Sequence, residues 1–139
     1  GPEHASAIAD LLVPAFDWPD AVRPWMTRIV GRSGWHHYIA FDSDTPAATA
    51  AMHVTGRYGY LGPAATHPDV RRRGAQSALI ARRLRDAASL GCEMLISETA
   101  EDRPDDPSPS FRNMQRAGFQ VAYVRPNYIC EPGLCPPGA

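Results

Sequence analysis

The residues best suited to chemistry lie in one run, His67-Pro68-Asp69-Val70-Arg71-Arg72-Arg73-Gly74-Ala75-Gln76-Ser77-Ala78-Leu79. It joins a strand-like segment, Tyr58 to Thr66, to an amphipathic helix, Gln76 to Leu90. A short strand-to-helix joint aims unpaired backbone N–H groups and the positive end of a helix dipole at one place. Such a place binds phosphate. Gly74 allows close backbone approach, and the arginines at 71, 72 and 73 suit an anion carrying several charges. The chemistry expected is the binding of a pyrophosphate-bearing cofactor. The same residues also fit an arginine-rich, solvated connection with no ligand. The run lacks the Gly-x-x-x-x-Gly-Lys-Ser/Thr pattern of a nucleotide-binding P-loop, and its single glycine is too few for a dinucleotide fingerprint.

Other reactive side chains are scattered. Glu98 ends an apolar strand-like run, where a carboxylate can serve as a base if its surroundings favour the neutral form. Tyr123, Tyr128 and Ser110 carry hydroxyls able to donate a proton. Each also has a structural reading: tyrosines in strands pack, and Ser110 suits a helix N-cap. The loop Glu101-Asp102-Arg103-Pro104-Asp105-Asp106 is carboxylate-rich, fit either to attract a cationic amine or simply to be solvated. No Cys/His group has the spacing of a zinc site, and His36 and His37 should face opposite sides of a strand, so no metal is expected. Of the three cysteines, Cys92 reads as a small core residue, while Cys130 and Cys135 lie in a Pro/Gly-rich tail.

The elements that must hold these residues follow from periodicity. Residues His4 to Val13 read as a helix with Ile8, Leu11, Leu12 and Ala15 on its apolar stripe. A second helix is expected over Asp20 to Val30, kinked or beginning at Pro24. Trp35 to Phe41, Ala47 to Val54 and Tyr58 to Thr66 read as three strands with tight turns, hence an antiparallel meander. The alanines weaken the second strand as a prediction. Gly62-Pro63 predicts a bulge or splay in the third, since proline cannot donate to a ladder. The next helix should bury Ile80, Leu84, Ala87 and Ala88 and expose Arg82, Arg85, Asp86 and Ser89. Cys92 to Thr99 reads as a central strand covered on both faces. A short helix over Ser110 to Ala117 and closing strands over Phe119 to Val124 and Asn127 to Cys130 complete the chain. The class is α/β in layers: a mixed, mostly antiparallel sheet flanked by helices.

Composition sets bounds. The chain has 139 residues, 44% hydrophobic and 21% charged, with a net charge of −1. That suits a globular domain with a real core. Near-neutral charge argues against a nucleic-acid partner despite the local arginines. No apolar run approaches the ~18 residues of a membrane span, and no leader peptide is visible, so a cytoplasmic, reducing location and no membrane partner are expected.

Together these residues resemble the GNAT superfamily of N-acetyltransferases over His4 to Cys130. The carrying motifs are Pro68-x-x-Arg71-x-Arg73-Gly74-x-x-Ser77-Ala78-Leu79, similar to the family's acetyl-CoA pyrophosphate loop, and Ser110-x-x-Asn113-x-x-x-x-Gly118-Phe119, similar to its fourth-helix ending. The first departs from the family pattern at Gln76, where Gly or Ala is usual. The resemblance implies one domain over residues 3–130, with 131–139 as an irregular tail. It implies acetyl transfer from acetyl-CoA to a primary amine, with a small-molecule acceptor. The cofactor would be held by Ala64, Ala65, Thr66, Arg71, Arg72, Arg73, Gly74, Ala75, Gln76, Ser77 and Asn113. Strands ending near Thr66 and Ser97 would splay to admit its arm. Many relatives place a proton-donating tyrosine where this chain has Met114. Replacement acids are then Tyr123, Tyr128 or Ser110, with Tyr123 taken first; Glu98 at the strand end is the expected base, and a non-catalytic acyl-CoA-binding or regulatory module is the alternative. Trp18, Trp25 and Trp35 are candidates to line the acceptor pocket, because the family builds its specificity in the helices between Phe16 and Val30, although packing is the expected role for at least two of them. The family's first strand has no room before the first helix, so an edge strand is expected to be missing: trimmed away, carried by an earlier part of a longer protein, or supplied by a partner, with a homodimer expected because an exposed edge invites pairing.

Overall fold

The structure is a computed structural model that describes residues 1–71 and 73–128. Contacts gather the chain into two compact units, residues 1–100 and 101–139. The first unit opens with α1 (Ala5–Ala15), where Ile8, Ala9, Leu11, Leu12 and Val13 are buried and Ala15 is exposed. A 3-10 turn at Asp20–Val22 leads into α2 (Arg23–Ile29). Pro24 lies in its first turn, where its missing N–H costs no helical bond. The Pro24 alternative is thus a start, not a kink.

Four strands follow: β1 (Trp35–Asp42), β2 (Thr45–Thr55), β3 (Tyr58–Thr66) and β4 (Met94–Ser97), with α3 (Ala75–Ser89) between the last two. Their spatial order is β1-β2-β3-β4. The first three form the expected antiparallel meander, and β4 joins β3 in parallel after the α3 crossover. Among the described residues no strand precedes α1. The alanines of β2 do not weaken it. It is the longest strand, and Ala47, Ala48, Ala50 and Ala51 are nearly or fully buried. Small side chains let helices press on both faces there, which offsets alanine's poor strand preference.

Side-chain alternation divides the core into two layers. Ile8, Ala9, Leu12, Met26 and Ile29 of α1 and α2 pack with Ala65 of β3, and with Trp18, Val22, Val30 and Ile39 at the margin. On the other face Leu79 of α3 packs with Ala48 and Ala50, flanked by Tyr38, Ala40, Ala64 and Ala75. Thr49, fully buried, satisfies its hydroxyl by donating to the Tyr38 carbonyl at 2.8 Å.

Several expectations fail for physical reasons. β4 is not a covered central strand. It is short and flanks β3 alone among the described residues, with Met94 and Ile96 about half exposed. An apolar run cannot by itself tell a covered strand from an exposed one. Cys92 is half-buried and precedes β4, with its N–H held by the Ala87 carbonyl at 3.0 Å. In α3 the buried residues are Leu79, Ile80, Arg83 and Ala87, whereas Ala88 is exposed and Leu84 half-buried.

The second unit contains α4 (Pro109–Arg116). Its N-cap is Ser108, not Ser110: the Ser108 hydroxyl accepts from the Phe111 N–H at 3.3 Å. The Asp102 carboxylate accepts from the Ser108 N–H at 2.7 Å and pairs with Arg112 at 3.0 Å. Phe119 to Val124 forms no strand. The end of the expected Asn127–Cys130 strand, with Cys130, Cys135 and the tail, lies outside the described residues, and Asn127 and Tyr128 themselves are not in a strand.

A histidine is trapped in the first unit. Trp35 stacks on His37 with centroids 5.7 Å apart and meets the cross-strand His53 at 4.9 Å in a tilted arrangement. Both His37 ring nitrogens are buried without a partner among the described residues. Burial, then the neighbouring His36 and the terminal amine, hold its pKa below 6.5. The unfolded chain therefore takes up this proton first. Stability should be full above about pH 6.5 and decline as pH falls below it. Thermal melts between pH 7.5 and 5 should show that decline, and His37→Phe should flatten it; an unchanged slope would assign it elsewhere. Leu12→Ala should cost about 2–5 kcal/mol in denaturant melts, since a fully buried leucine leaves a cavity.

Candidate functional site

The site grows from the end of β3. Strand β3 pairs with β4 only from Tyr58↔Met94 to Leu61↔Ser97. The Ser97 hydroxyl donates to the Leu61 carbonyl at 3.2 Å at this last rung. Beyond it β4 ends while β3 runs on to Thr66. On its other side β3 stays paired with β2, Ala64 to Ala50, Ala65 to Thr49 and Thr66 to Ala48. From Gly62 onward, then, no described strand lies along the β4-side edge of β3.

The parting coincides with a register shift. Leu61 faces Met52 and Ala64 faces Ala50, so Gly62 and Pro63 together oppose Ala51. This is the bulge expected from Gly-Pro. A bulge bends its strand and sharpens its twist, and Pro63 has no N–H to give to β2.

After Thr66 the backbone turns through a 3-10 segment, Pro68–Val70, and reaches α3. His67 caps that segment by accepting the Asp69 N–H at 3.4 Å. Gly74 is the N-cap of α3, at φ 81° and ψ −1°, and no side chain caps the first turn. That left-handed conformation is why glycine stands there. A Cβ at Gly74 would meet no atom of the described residues within 4 Å, so the constraint there is conformational.

The charged residues around this turn have partners of their own. Arg73 is exposed and pairs with Asp42 of β1 at 2.8 Å. Exposed Arg71 reaches the Thr66 carbonyl through Nε at 3.5 Å. Arg72 lies outside the described residues. Ala75 and Gln76 are half-buried and Ser77 is exposed at the start of α3. Ala64 and Thr66 are half-buried, whereas the Ala65 side chain belongs to the α1–α2 core layer and leaves only its backbone for a ligand. One turn of the first unit thus brings together Ala64, Thr66, Arg71, Arg73 and Gly74 to Ser77.

Asn113 and Tyr123 belong to the second unit. Asn113 Oδ1 accepts from Arg116 at 2.7 Å, and Tyr123 is solvent-exposed. Glu98, just past β4 in the first unit, is also exposed. Met114, in the position many relatives give to tyrosine, is buried. In the acidic loop, Arg103 pairs with Glu101 at 2.6 Å, and the Arg112 side chain holds Asp102 below the usual carboxylate range. Two of its carboxylates are therefore already engaged. Trp18 packs at the margin of the core and Trp35 on the histidines, while Trp25 is 58% exposed. Among the described residues no group of three or more His, Cys, Asp or Glu is placed to hold a metal, and no helix is long and apolar enough to cross a membrane.

Sequence reasoning missed one residue at this site. Arg83 of α3 is fully buried beneath the bulge. The clue was its spacing: positions 79, 80, 83 and 87 fall on one helical stripe, and a charge on that stripe needs an explanation.

Comparison with known proteins agrees with this geometry. No curated protein matches the chain by sequence. Among solved structures, AAC(6')-Iy in complex with the bisubstrate analogue CoA-S-monomethyl-acetylneamine is similar, with a TM-score of 0.74 at 18% identity, covering 93% of this chain and 92% of that one. The aminoglycoside 6'-N-acetyltransferase AAC(6')-IG from Acinetobacter haemolyticus gives 0.73 at 17% identity, covering 94% of each chain. An acetyltransferase from Trypanosoma brucei gives 0.73 at 18% identity, covering 94% of this chain and 95% of that one. At these identities the likeness establishes a shared fold. The family model for the acetyltransferase (GNAT) family matches residues 5–119. A chain whose β3 leaves β4 at a bulge and runs into a glycine-led helix, and whose sequence fits that model across both units, belongs to the GNAT acetyltransferase family.

Proposed function

We propose that the protein transfers an acetyl group from acetyl-CoA to a primary amine on a small-molecule acceptor, with residues 3–130 working as one acetyltransferase domain. The observation that carries this reading is the open edge of β3, which leads directly to the uncapped N-terminus of α3. A pantetheine arm carries amides that can pair with the backbone of Ala64 and Thr66 as an added strand does. The pyrophosphate suits the amides of Ala75, Gln76 and Ser77 and the charges of Arg71 and Arg73. Arg72 and Asn113 are assigned to the same ligand by the family motifs alone.

In this reaction the amine nitrogen attacks the thioester carbonyl, a C–N bond forms, and the C–S bond breaks. A backbone N–H stabilises the oxyanion that develops. The amine must lose a proton and the departing thiolate must gain one. Glu98 is our choice for the first task and Tyr123 for the second. Aminoglycosides, which appear in the names of two similar acetyltransferases, AAC(6')-Iy and AAC(6')-IG, are the first acceptors to try. Buried Met114 favours a second reading, a fold that binds acyl-CoA without turnover, because a thioether cannot supply the proton.

Calorimetry with acetyl-CoA, followed by a thiol-release assay over an amine panel, separates these readings. Saturable one-to-one binding with amine-dependent thiol release supports the enzyme. Binding without release for any amine supports the second reading, and no binding by a folded sample refutes both. Gly74→Asp should abolish binding, through an added carboxylate and a left-handed conformation that aspartate adopts less readily. Asp42→Asn frees Arg73 and should tighten binding by about twofold to fivefold, the scale of one exposed ion pair. Weaker binding would mean that Asp42 positions Arg73 instead of competing for it.

A further inference from the structure

Arg83 is out of place by charge and in place by geometry. It lies in the apolar layer between α3 and the sheet, beside Leu79 and Ile80, and is fully buried. Among the described residues no carboxylate pairs with it. Its Nε donates to the Leu79 carbonyl one turn back, at 3.2 Å. Its Nη1 reaches across to the sheet and donates to the Ala51 carbonyl at 3.1 Å and the Gly62 carbonyl at 3.5 Å. Burial lowers its pKa to about 10, so it stays charged at neutral pH. A buried charge without a counter-ion is costly, and an apolar side chain of similar length would ordinarily be preferred there.

The two carbonyls it meets flank the bulge. Gly62 and Pro63 share Ala51 as their one opposite number, and Pro63 cannot donate to β2. A carbonyl left short of donors in a buried layer is itself costly. The guanidinium supplies N–H groups from α3 to both carbonyls at the bulge, and its charge strengthens both bonds.

We propose that Arg83 is a positioning residue for acyl-CoA binding: it pegs the Ala51–Gly62 bulge, and thereby holds β3 turned away from β4 with its Ala64–Thr66 edge ready for the pantetheine arm. The assignment of that edge to the arm rests on the function proposed above. The peg itself does not.

The test compares Arg83→Met, Arg83→Lys and Leu11→Ala with the unaltered full chain. Leu11 is buried in α1 and is not among the residues packed with Ala65, so it serves as the control for a loss of stability alone. Two readouts are taken below the melting transition: amide hydrogen exchange across β2 and β3, and acetyl-CoA affinity with KM and kcat. Arg83→Met should speed exchange at Gly62, Ala64, Ala65 and Thr66 by about tenfold or more relative to Val54 and Tyr60. It should also raise Kd and KM for acetyl-CoA by about tenfold, with a smaller change in kcat. Arg83→Lys, which keeps a charge and a compact donor, should fall between. Leu11→Ala should lower the melting temperature and leave both readouts within about twofold. Arg83→Met with native exchange and native affinity overturns the proposal, as does Leu11→Ala weakening acetyl-CoA binding as much. If Arg83→Met does not fold, Arg83→Lys decides by the same readouts, native values overturning the proposal. If the unaltered protein binds no acetyl-CoA, the function proposed above fails and so does the link to the arm, while the exchange pattern still decides whether Arg83 pegs the bulge.

Discussion

Two residues of β3, Gly62 and Pro63, stand against one residue of β2, Ala51, and the arrangement of the first unit's candidate site follows from that mismatch. Before it, β3 is an ordinary inner strand with β2 on one side and β4 on the other. After it, β3 keeps β2 and loses β4. The freed edge is backbone, with donors and acceptors at strand spacing, and such an edge pairs with whatever extended chain or amide-bearing arm is offered. The opening sits at the bulge, where the Ala51 and Gly62 carbonyls accept from Arg83.

The same mismatch explains how the core is divided. On the α1–α2 face, Ala65 of the freed segment is anchored among Ile8, Leu12, Met26 and Ile29. On the α3 face, Ala48, Ala50 and Ala64 let Leu79 come close. The freed stretch of β3 is therefore held on both faces by packing and on one edge by β2. Preorganisation of this kind matters for a binding edge, because a strand that had to order itself on binding would lose affinity to conformational entropy. The turn after it is restrained too, by the His67 N–H on the Ala47 carbonyl and by the 3-10 segment, before Gly74 opens α3.

Charge placement follows a second logic. The arginines near the turn do not float. Arg73 rests on Asp42, and Arg71 lies against Thr66. Exposed pairs like these contribute little to stability, but they keep long side chains near the helix N-terminus, where an anion would meet them. In the second unit the acidic loop spends Glu101 and Asp102 on Arg103 and Arg112. Its composition thus overstates the field it presents.

Much of this was legible in the chain itself. The tight turns and aromatic, β-branched runs marked β1 and β3 closely. Gly62-Pro63 marked the bulge because the absence of an N–H is a property of proline wherever it stands, and the glycine before α3 marked a left-handed turn for an equally local reason. The fold class and the family motifs rest on such local signals and on their order. What the chain could not reveal depends on what packs against what. Tertiary structure decided that β4 is short and half exposed, that the alanines of β2 are an asset, that Ser108 caps α4, that Phe119 to Val124 is no strand, and that His37 is trapped without a partner among the described residues. Above all it decided that Arg83 is buried. Read along the chain, Arg83 is one charge on an otherwise apolar stripe; only when α3 lies across β2 and β3 does its guanidinium meet the Ala51 and Gly62 carbonyls at the bulge.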